Sequence, residues 1–151
     1  MKKKKLVFKR MLGLSLASVI ALGSFSSVNA VLANNYTDTA FGYNYSGDGT
    51  DMSTPTRSKQ DSSATYVFNN ASNSANINVY VVGTNTYSTD PTSFIQYGYY
   101  TSPVVLKTGY RKYIKNSIYP TYKYAYLCMS TQDGRAHYIS GKWSPDNCSG
   151  Y

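Results

Sequence analysis

His137 is the only histidine of the chain and the first candidate for a general base. An imidazole can take the proton of a serine hydroxyl when a carboxylate orients it, and Asp133 or Asp146 could be that carboxylate. Serines are plentiful, but none lies in a G-x-S-x-G nucleophile elbow. We therefore predict a half-exposed histidine on a strand and a protein that is not an enzyme. The alternative is a hydrolase with His137 as its base.

The acidic residues indicate neither paired-carboxylate chemistry nor a metal site. All seven are aspartates, and they are scattered along the chain with no paired motif. The stretch Asp48-Gly49-Thr50-Asp51 contains residue types of a calcium loop, but it lacks the carboxylate spacing and the closing Glu of an EF-hand, so it predicts a turn. His137 cannot complete a four-ligand zinc set. We predict no metal and no cofactor.

The two cysteines, Cys128 and Cys148, predict a disulfide if the chain is secreted. The turn-forming sequence at 144–147 would let the chain reverse and bring Cys148 back towards Cys128. Closing a loop of about 20 residues would stabilise the fold by roughly 3 kcal/mol in the chain-entropy model. The alternatives are two reduced thiols or a bond between two chains.

Residues 1–33 have the three parts of a secretory signal peptide. The lysines from Lys2 to Lys5 precede an apolar stretch at 11–25, and small residues then lead to Ala30 and Ala33. We predict a secreted, extracellular protein with cleavage after Ala33 or Ala30. A retained membrane anchor is the alternative, but it needs about 20 apolar residues, and this stretch has fifteen.

Removal of this leader changes the charge of the protein. The whole chain has a net charge of +8, but six of its fifteen basic residues lie in the leader. The remainder carries nine basic residues and seven aspartates, which gives a net charge of +2. The strong basic balance therefore belongs to export, and we predict no nucleic-acid partner.

Residues 34–61 and 62–151 differ in composition. The first segment is rich in Gly and small polar residues, which predicts a flexible N-terminal arm with one short strand at Phe41, Tyr43 and Tyr45. The second alternates polar and apolar residues and contains little Leu, Ala or Glu, which favours strands over helices. We predict an all-β domain at 62–151, either a small antiparallel β-sandwich or an open barrel, with about six to seven strands.

The alternation predicts two hairpins. One pairs 66–68 with 77–81 across a long polar loop. The other pairs 122–130 with 136–143 around Asp133-Gly134, which suits a two-residue type I′ turn. Three further strands are predicted at 94–100, 104–106 and 110–114.

Seventeen tyrosines are the main compositional oddity. Their rings can fill a thin core that is short of leucine, or they can form a recognition surface. The densest basic stretch interleaves lysine and arginine with tyrosine, and it is the predicted binding region. Its residues are Lys107, Tyr110, Arg111, Lys112, Tyr113, Lys115, Tyr122, Lys123 and Tyr124.

The C-terminal half carries a short pattern of sequence. Tyr126-Leu127-Cys128 is followed by a polar turn, by Tyr138-Ile139-Ser140-Gly141-Lys142-Trp143, and by a polar, acidic tail. In this pattern, and more loosely at 57–68 and 79–83, the chain resembles an uncharacterised family of short exported proteins from Gram-positive bacteria. The resemblance implies a small β-rich extracellular domain and transfers no activity. More distantly, the size, export and layout are similar to lactococcin-972-like bacteriocins.

These observations predict a secreted, non-catalytic binding protein that acts at or near the cell envelope. Its basic and aromatic stretch would contact an anionic cell-wall polymer, a lipid surface or another surface protein. The alternative function is that of a bacteriocin-like secreted antagonist. The ligand and the oligomeric state are left open by the sequence.

Overall fold

The computed structural model describes residues 35–89 and 101–147, and all regular structure in these ranges is β-strand. The nine strands are β1 (Thr39–Tyr45), β2 (Met52–Ser53), β3 (Arg57–Ser58), β4 (Thr65–Asn69), β5 (Ile77–Thr84), β6 (Val104–Leu106), β7 (Arg111–Ile114), β8 (Tyr124–Thr131) and β9 (His137–Ser144). Sheet A has the order β1-β9-β4-β7; sheet B has the order β2-β8-β5-β6, and β3 also pairs with β8. All pairs are antiparallel. The predicted all-β sandwich is confirmed: six of these strands, β4–β9, lie within 62–151, where six to seven were predicted, and β1–β3 precede them.

The core lies between the sheets because each long strand turns alternate side chains inward. In β4, Val67 is buried while Tyr66 and Phe68 are half-exposed on the other face. The same period places Val79 of β5 and Leu127 of β8 in the core. The main cluster is Phe41, Val67, Ile77, Val79, Val81, Leu106, Ile114, Ile118, Ala125, Leu127, Met129, Ile139 and Trp143.

The predicted hairpin of 122–130 with 136–143 is wrong. β8 lies in sheet B, where it pairs with β5 on one edge and with β2 and β3 on the other. β9 lies in sheet A between β1 and β4. Asp133 does start a turn, but its Oδ1 accepts the N–H of Arg135 at 3.1 Å in an Asx-turn. With Gly134 at a φ of 67°, this longer connection carries the chain across to the other sheet.

The predicted hairpin of 66–68 with 77–81 is wrong for the same reason. β4 belongs to sheet A and β5 to sheet B, and the intervening loop crosses between them. The connection from β6 to β7 also changes sheets. Alternation specifies which side chains turn inward, but a strand on either sheet can satisfy it.

The N-terminal segment differs from the predicted flexible arm. β1 is a full strand of sheet A that pairs with β9 along seven residues, with Phe41 and Tyr45 buried as the predicted alternation requires. β2 and β3 then extend sheet B along β8. Thr54 between them is fully buried, and its Oγ1 accepts the N–H of Leu127 at 3.0 Å. Through these pairings with β8 and β9 the segment is part of the sandwich.

Several predictions fall outside the described residues. These are the signal peptide with its cleavage sites, the strand at 94–100 and the position of Cys148. The predicted strands at 104–106 and 110–114 are confirmed as β6 and β7. Within 35–89 and 101–147, no helix has the length and apolar character that a membrane span requires.

Candidate binding face

On the outer side of sheet A, an aromatic residue lies between two cationic residues, one on each side. The register puts Arg111 of β7 opposite Phe68 of β4, and Phe68 opposite Lys142 of β9. The three side chains therefore lie in one row across three strands. Neighbouring strands are about 4.8 Å apart, so the two cationic residues are rooted about 10 Å apart with the phenyl ring between them.

A second row of this face is made of tyrosines. Tyr113 of β7 lies opposite Tyr66 of β4, and the ring centroids are 5.5 Å apart with an interplanar angle of 46°. Tyr113 is 37% exposed, so the pair offers ring surface to solvent. Burial, followed in importance by the nearby Asp38 carboxylate, raises the pKa of Tyr66, which keeps its hydroxyl neutral. We call Tyr66, Phe68, Arg111, Tyr113 and Lys142 the aromatic-basic face.

A groove of about 480 Å³ lies on this face. Its lining residues are Asp38, Tyr66, Phe68, Gly109, Tyr110, Arg111 and Lys142. The wall at Tyr110 is held by the turn before β7, in which Tyr110 N–H donates to Lys107 O and Gly109 N–H donates to Asn69 O. Gly109 has a φ of 77°, a conformation that glycine adopts without strain. Tyr110 is 64% exposed. The groove therefore combines rings, two cations and one carboxylate.

One known protein family matches most of this chain. The model of a family described as "Protein of unknown function (DUF2712)" matches residues 27–147. The chain belongs to this family. No curated protein and no solved structure matches it. The family region contains both sheets and the whole aromatic-basic face, and it confirms the expected membership of an uncharacterised family.

The structure divides the predicted binding residues into two groups. Tyr110, Arg111 and Tyr113 contribute to the groove or the face on sheet A, while Lys107, Lys112 and Lys115 are exposed around β7. The second group, Tyr122, Lys123 and Tyr124, lines a separate groove of about 340 Å³ beside β3 and the start of β8. The remaining lining residues of that groove are Tyr119, Pro120 and residues 58–60.

Sequence reasoning missed three of the five residues of the aromatic-basic face. Tyr66, Phe68 and Lys142 were not among the predicted binding residues, and neither was Asp38. The alternation in β4 does show that Tyr66 and Phe68 oppose the buried Val67. The missing information was the pairing of β4 with both β7 and β9, since only this pairing brings these strands side by side.

Cys128 lies on the other side of the sandwich, on the outer face of sheet B. It is buried with Val82 and Tyr126, and its Sγ lies 3.1 Å from Ser53 Oγ. Burial raises the pKa of the Cys128 thiol, which lowers its thiolate fraction. Within 35–89 and 101–147 the structure shows no disulfide, and the predicted bond to Cys148 stays a prediction.

We expect iodoacetamide at pH 8 to label Cys128 only after the chain is unfolded. Buried thiols react slowly because the reagent must reach the thiolate. Mass spectrometry of peptides from native and urea-treated protein, both reduced first, measures this. Rapid labelling of the native protein would contradict the burial. Without prior reduction, an unfolded chain that labels at neither cysteine would support the Cys128–Cys148 bond.

Proposed function

We propose that the protein is a binding domain that acts outside the cell, at or near the envelope, and that the aromatic-basic face holds an anionic glycan of the cell wall. The observation that carries the proposal is the row of Arg111, Phe68 and Lys142 beside the Tyr66–Tyr113 pair. Tyrosine and phenylalanine rings give wide contact area at a low cost in conformational entropy. Export to a Gram-positive cell wall is the setting that we infer.

The chemistry of the groove favours a charged polysaccharide. Aromatic rings can pack against the apolar faces of sugar rings. Arg111 and Lys142 extend from backbone positions about 10 Å apart and can pair with phosphate or carboxylate groups of the polymer. The Asp38 carboxylate is an acceptor for sugar hydroxyls. A flat anionic membrane can pair with the two cations, but it has no sugar ring that could pack on the aromatic side chains. It would therefore contact fewer residues of the groove.

We expect the double variant Arg111→Ser/Lys142→Ser to lose most of its retention on purified Gram-positive cell wall. Each cation of the groove supplies a charge-assisted contact of about 1.5–3 kcal/mol, so loss of the pair should weaken binding by a factor of about 100 or more. Co-sedimentation with wall material at increasing salt measures the retention. Anionic lipid vesicles in a parallel assay distinguish a membrane from a glycan.

The matched control is Lys107→Ser/Lys115→Ser. It removes the same charge from exposed positions outside the groove lining, so it should retain nearly all wall binding. Equal losses in both double variants would mean that net charge alone drives retention. Binding to the vesicles but not to the wall would also overturn the proposal.

A further inference from the structure

Three side chains from separate segments form a continuous hydrogen-bonded chain at one end of the sandwich. Ser74 Oγ lies 2.9 Å from His137 Nδ1, and His137 Nε2 lies 2.9 Å from Asp133 Oδ2. Ser74 comes from the loop between β4 and β5, Asp133 from the turn after β8, and His137 from the first position of β9. This arrangement is independent of the aromatic-basic face and shares no residue with it.

The Asp133 carboxylate determines how the imidazole uses its two nitrogens. The hydrogen bond with His137 is the largest of the effects that lower the pKa of Asp133, so the carboxylate is ionised and can only accept. A neutral His137 must then carry its proton on Nε2. Nδ1 is left as an acceptor, and the atom facing it is Ser74 Oγ. The serine hydroxyl therefore donates to a base that a carboxylate orients, as in serine hydrolases, with the two ring nitrogens exchanged.

The backbone around these side chains is anchored on each segment. Next to Ser74, the buried Asn73 donates from Nδ2 to Ser140 O at 2.8 Å and accepts the Ser140 N–H at 3.2 Å. Asp133 is held in its Asx-turn by the N–H of Arg135. His137 is paired with Tyr45 of β1. Ser74 is therefore adjacent to a residue anchored on β9, His137 lies within sheet A, and Asp133 is held within its own turn.

A groove beside the hydrogen-bonded chain of Ser74, His137 and Asp133 gives a substrate access to the serine. It has a volume of about 430 Å³ and is lined by Ser74, Ala75, Asn76, Gln132 and Asp133. The Gln132 side chain is oriented within it, because its Oε1 accepts a hydrogen bond from Asn76 Nδ2 at 3.0 Å. This bond uses the oxygen of the Gln132 amide. The amide nitrogen, Nε2, is a donor and can face a developing oxyanion.

We propose that Ser74 is the nucleophile of a second, reactive site that takes acyl groups from carboxylic esters. Ser74 Oγ bonds to the carbonyl carbon while its proton passes to His137 Nδ1. The bond from that carbon to the leaving oxygen then breaks, and the leaving alkoxide takes the proton from His137. A water molecule, deprotonated by the same nitrogen, cleaves the acyl-serine and returns the hydroxyl. Ser74 and His137 are the catalytic residues, Asp133 is a positioning residue, and Gln132 Nε2 donates to the oxyanion.

A fluorophosphonate probe tests this site directly, because it leaves a stable adduct on an activated serine with loss of fluoride. We expect mass spectrometry of the labelled, folded protein to find the adduct on Ser74. His137→Gln should slow labelling by about 100-fold or more, which is the usual contribution of general-base catalysis. The matched control is Ser72→Ala, which removes another exposed serine of the same loop and should leave the labelling rate unchanged.

Substitutions at Asp133 separate positioning from structural support. Asp133→Asn keeps an oxygen that can accept the Arg135 N–H of the turn, but it removes the carboxylate that orients His137 Nε2, so the labelling rate should fall. Asp133→Glu keeps a carboxylate and should recover part of that rate, a rescue that a purely structural role would not give. An adduct spread over several serines, no adduct at all, or a rate that is the same in His137→Gln would each overturn the proposal. Circular dichroism confirms that each variant has retained its sheets.

Discussion

Replacement of Asp146 by asparagine should lower the free energy of unfolding by about 3–5 kcal/mol, the usual cost of leaving a buried charge without its partner. The side chains of Lys59 and Asp146 are both fully buried, and Lys59 Nζ lies 2.8 Å from Asp146 Oδ1. Asparagine has nearly the shape of aspartate but no charge. The buried Lys59 ammonium would then lose its closest and fully buried partner and would face the partly exposed Asp61 carboxylate, whose Oδ1 lies 3.8 Å from Nζ.

The neighbourhood of this pair explains why the loss should be large. Asp146 Oδ2 also accepts the backbone N–H of Gln60 at 3.0 Å and that of Asn35 at 3.2 Å. Lys59 Nζ donates to Pro145 O at 2.8 Å. One carboxylate therefore joins the segment after β9 to the start of the described chain and to the segment after β3. Each of these donors would lose a charged acceptor in the variant.

Urea unfolding followed by tryptophan fluorescence measures the effect, because Trp143 is buried in the core. The matched control is Asp48→Asn, the same chemical change at an exposed turn, which should leave the unfolding midpoint nearly unchanged because asparagine can still accept the Thr50 N–H. The double variant Lys59→Met/Asp146→Leu removes both charges and should be more stable than Asp146→Asn alone. Equal midpoints for Asp146→Asn and the wild type would contradict the assignment of this pair.

Gly141→Ala should cost at least about 3 kcal/mol, the upper end of what overpacking a core usually costs. Gly141 lies in the middle of β9, opposite Phe41 of β1 and Asn69 of β4. A methyl group there would overlap the carbonyl oxygen of Phe68 and would lie 2.5 Å from Phe41 Cζ. The backbone oxygen cannot rotate away, so the β4–β9 pairing has to move.

Gly42→Ala is the matched control for this prediction, since it adds the same methyl group to the neighbouring strand of the same sheet. The new methyl group would meet the hydroxyl end of Tyr138, whose side chain is 57% exposed and can turn into solvent. We therefore expect a loss below about 1 kcal/mol. Thermal unfolding of both variants measures the difference. A Gly42→Ala variant as unstable as Gly141→Ala would show that the local environment is not what matters.

Local patterns predicted the strands but not their partners. The alternation at Phe41, Tyr43 and Tyr45 and at 77–81 was sufficient for β1 and for most of β5. The Asp133-Gly134 pair did predict a turn, yet whether its flanking strands pair with each other depends on which edges are already occupied. Edge occupancy comes from residues far away in sequence, such as β1 beside β9. Side-chain alternation contains no information about it.

The same reason limits the prediction of the candidate sites. Tyr110, Arg111 and Tyr113 were predicted because they are consecutive with other basic and aromatic residues. Phe68 and Lys142 are 74 residues apart in the chain, and only the sheet register brings them together. In the same way, the sequence offered Asp133 as a partner of His137, but it could not select Ser74 among so many serines.

The central position of β9 in sheet A has a consequence for the order of folding. β1 and β4 are both hydrogen-bonded to β9, which is the last strand of the described chain. Sheet A therefore cannot be completed before β9 has been synthesised, and a topology so rich in distant contacts is expected to fold slowly. In a polypeptide that ends before residue 137, β1 and β4 should accordingly remain protease-sensitive, because both lack β9 as their partner.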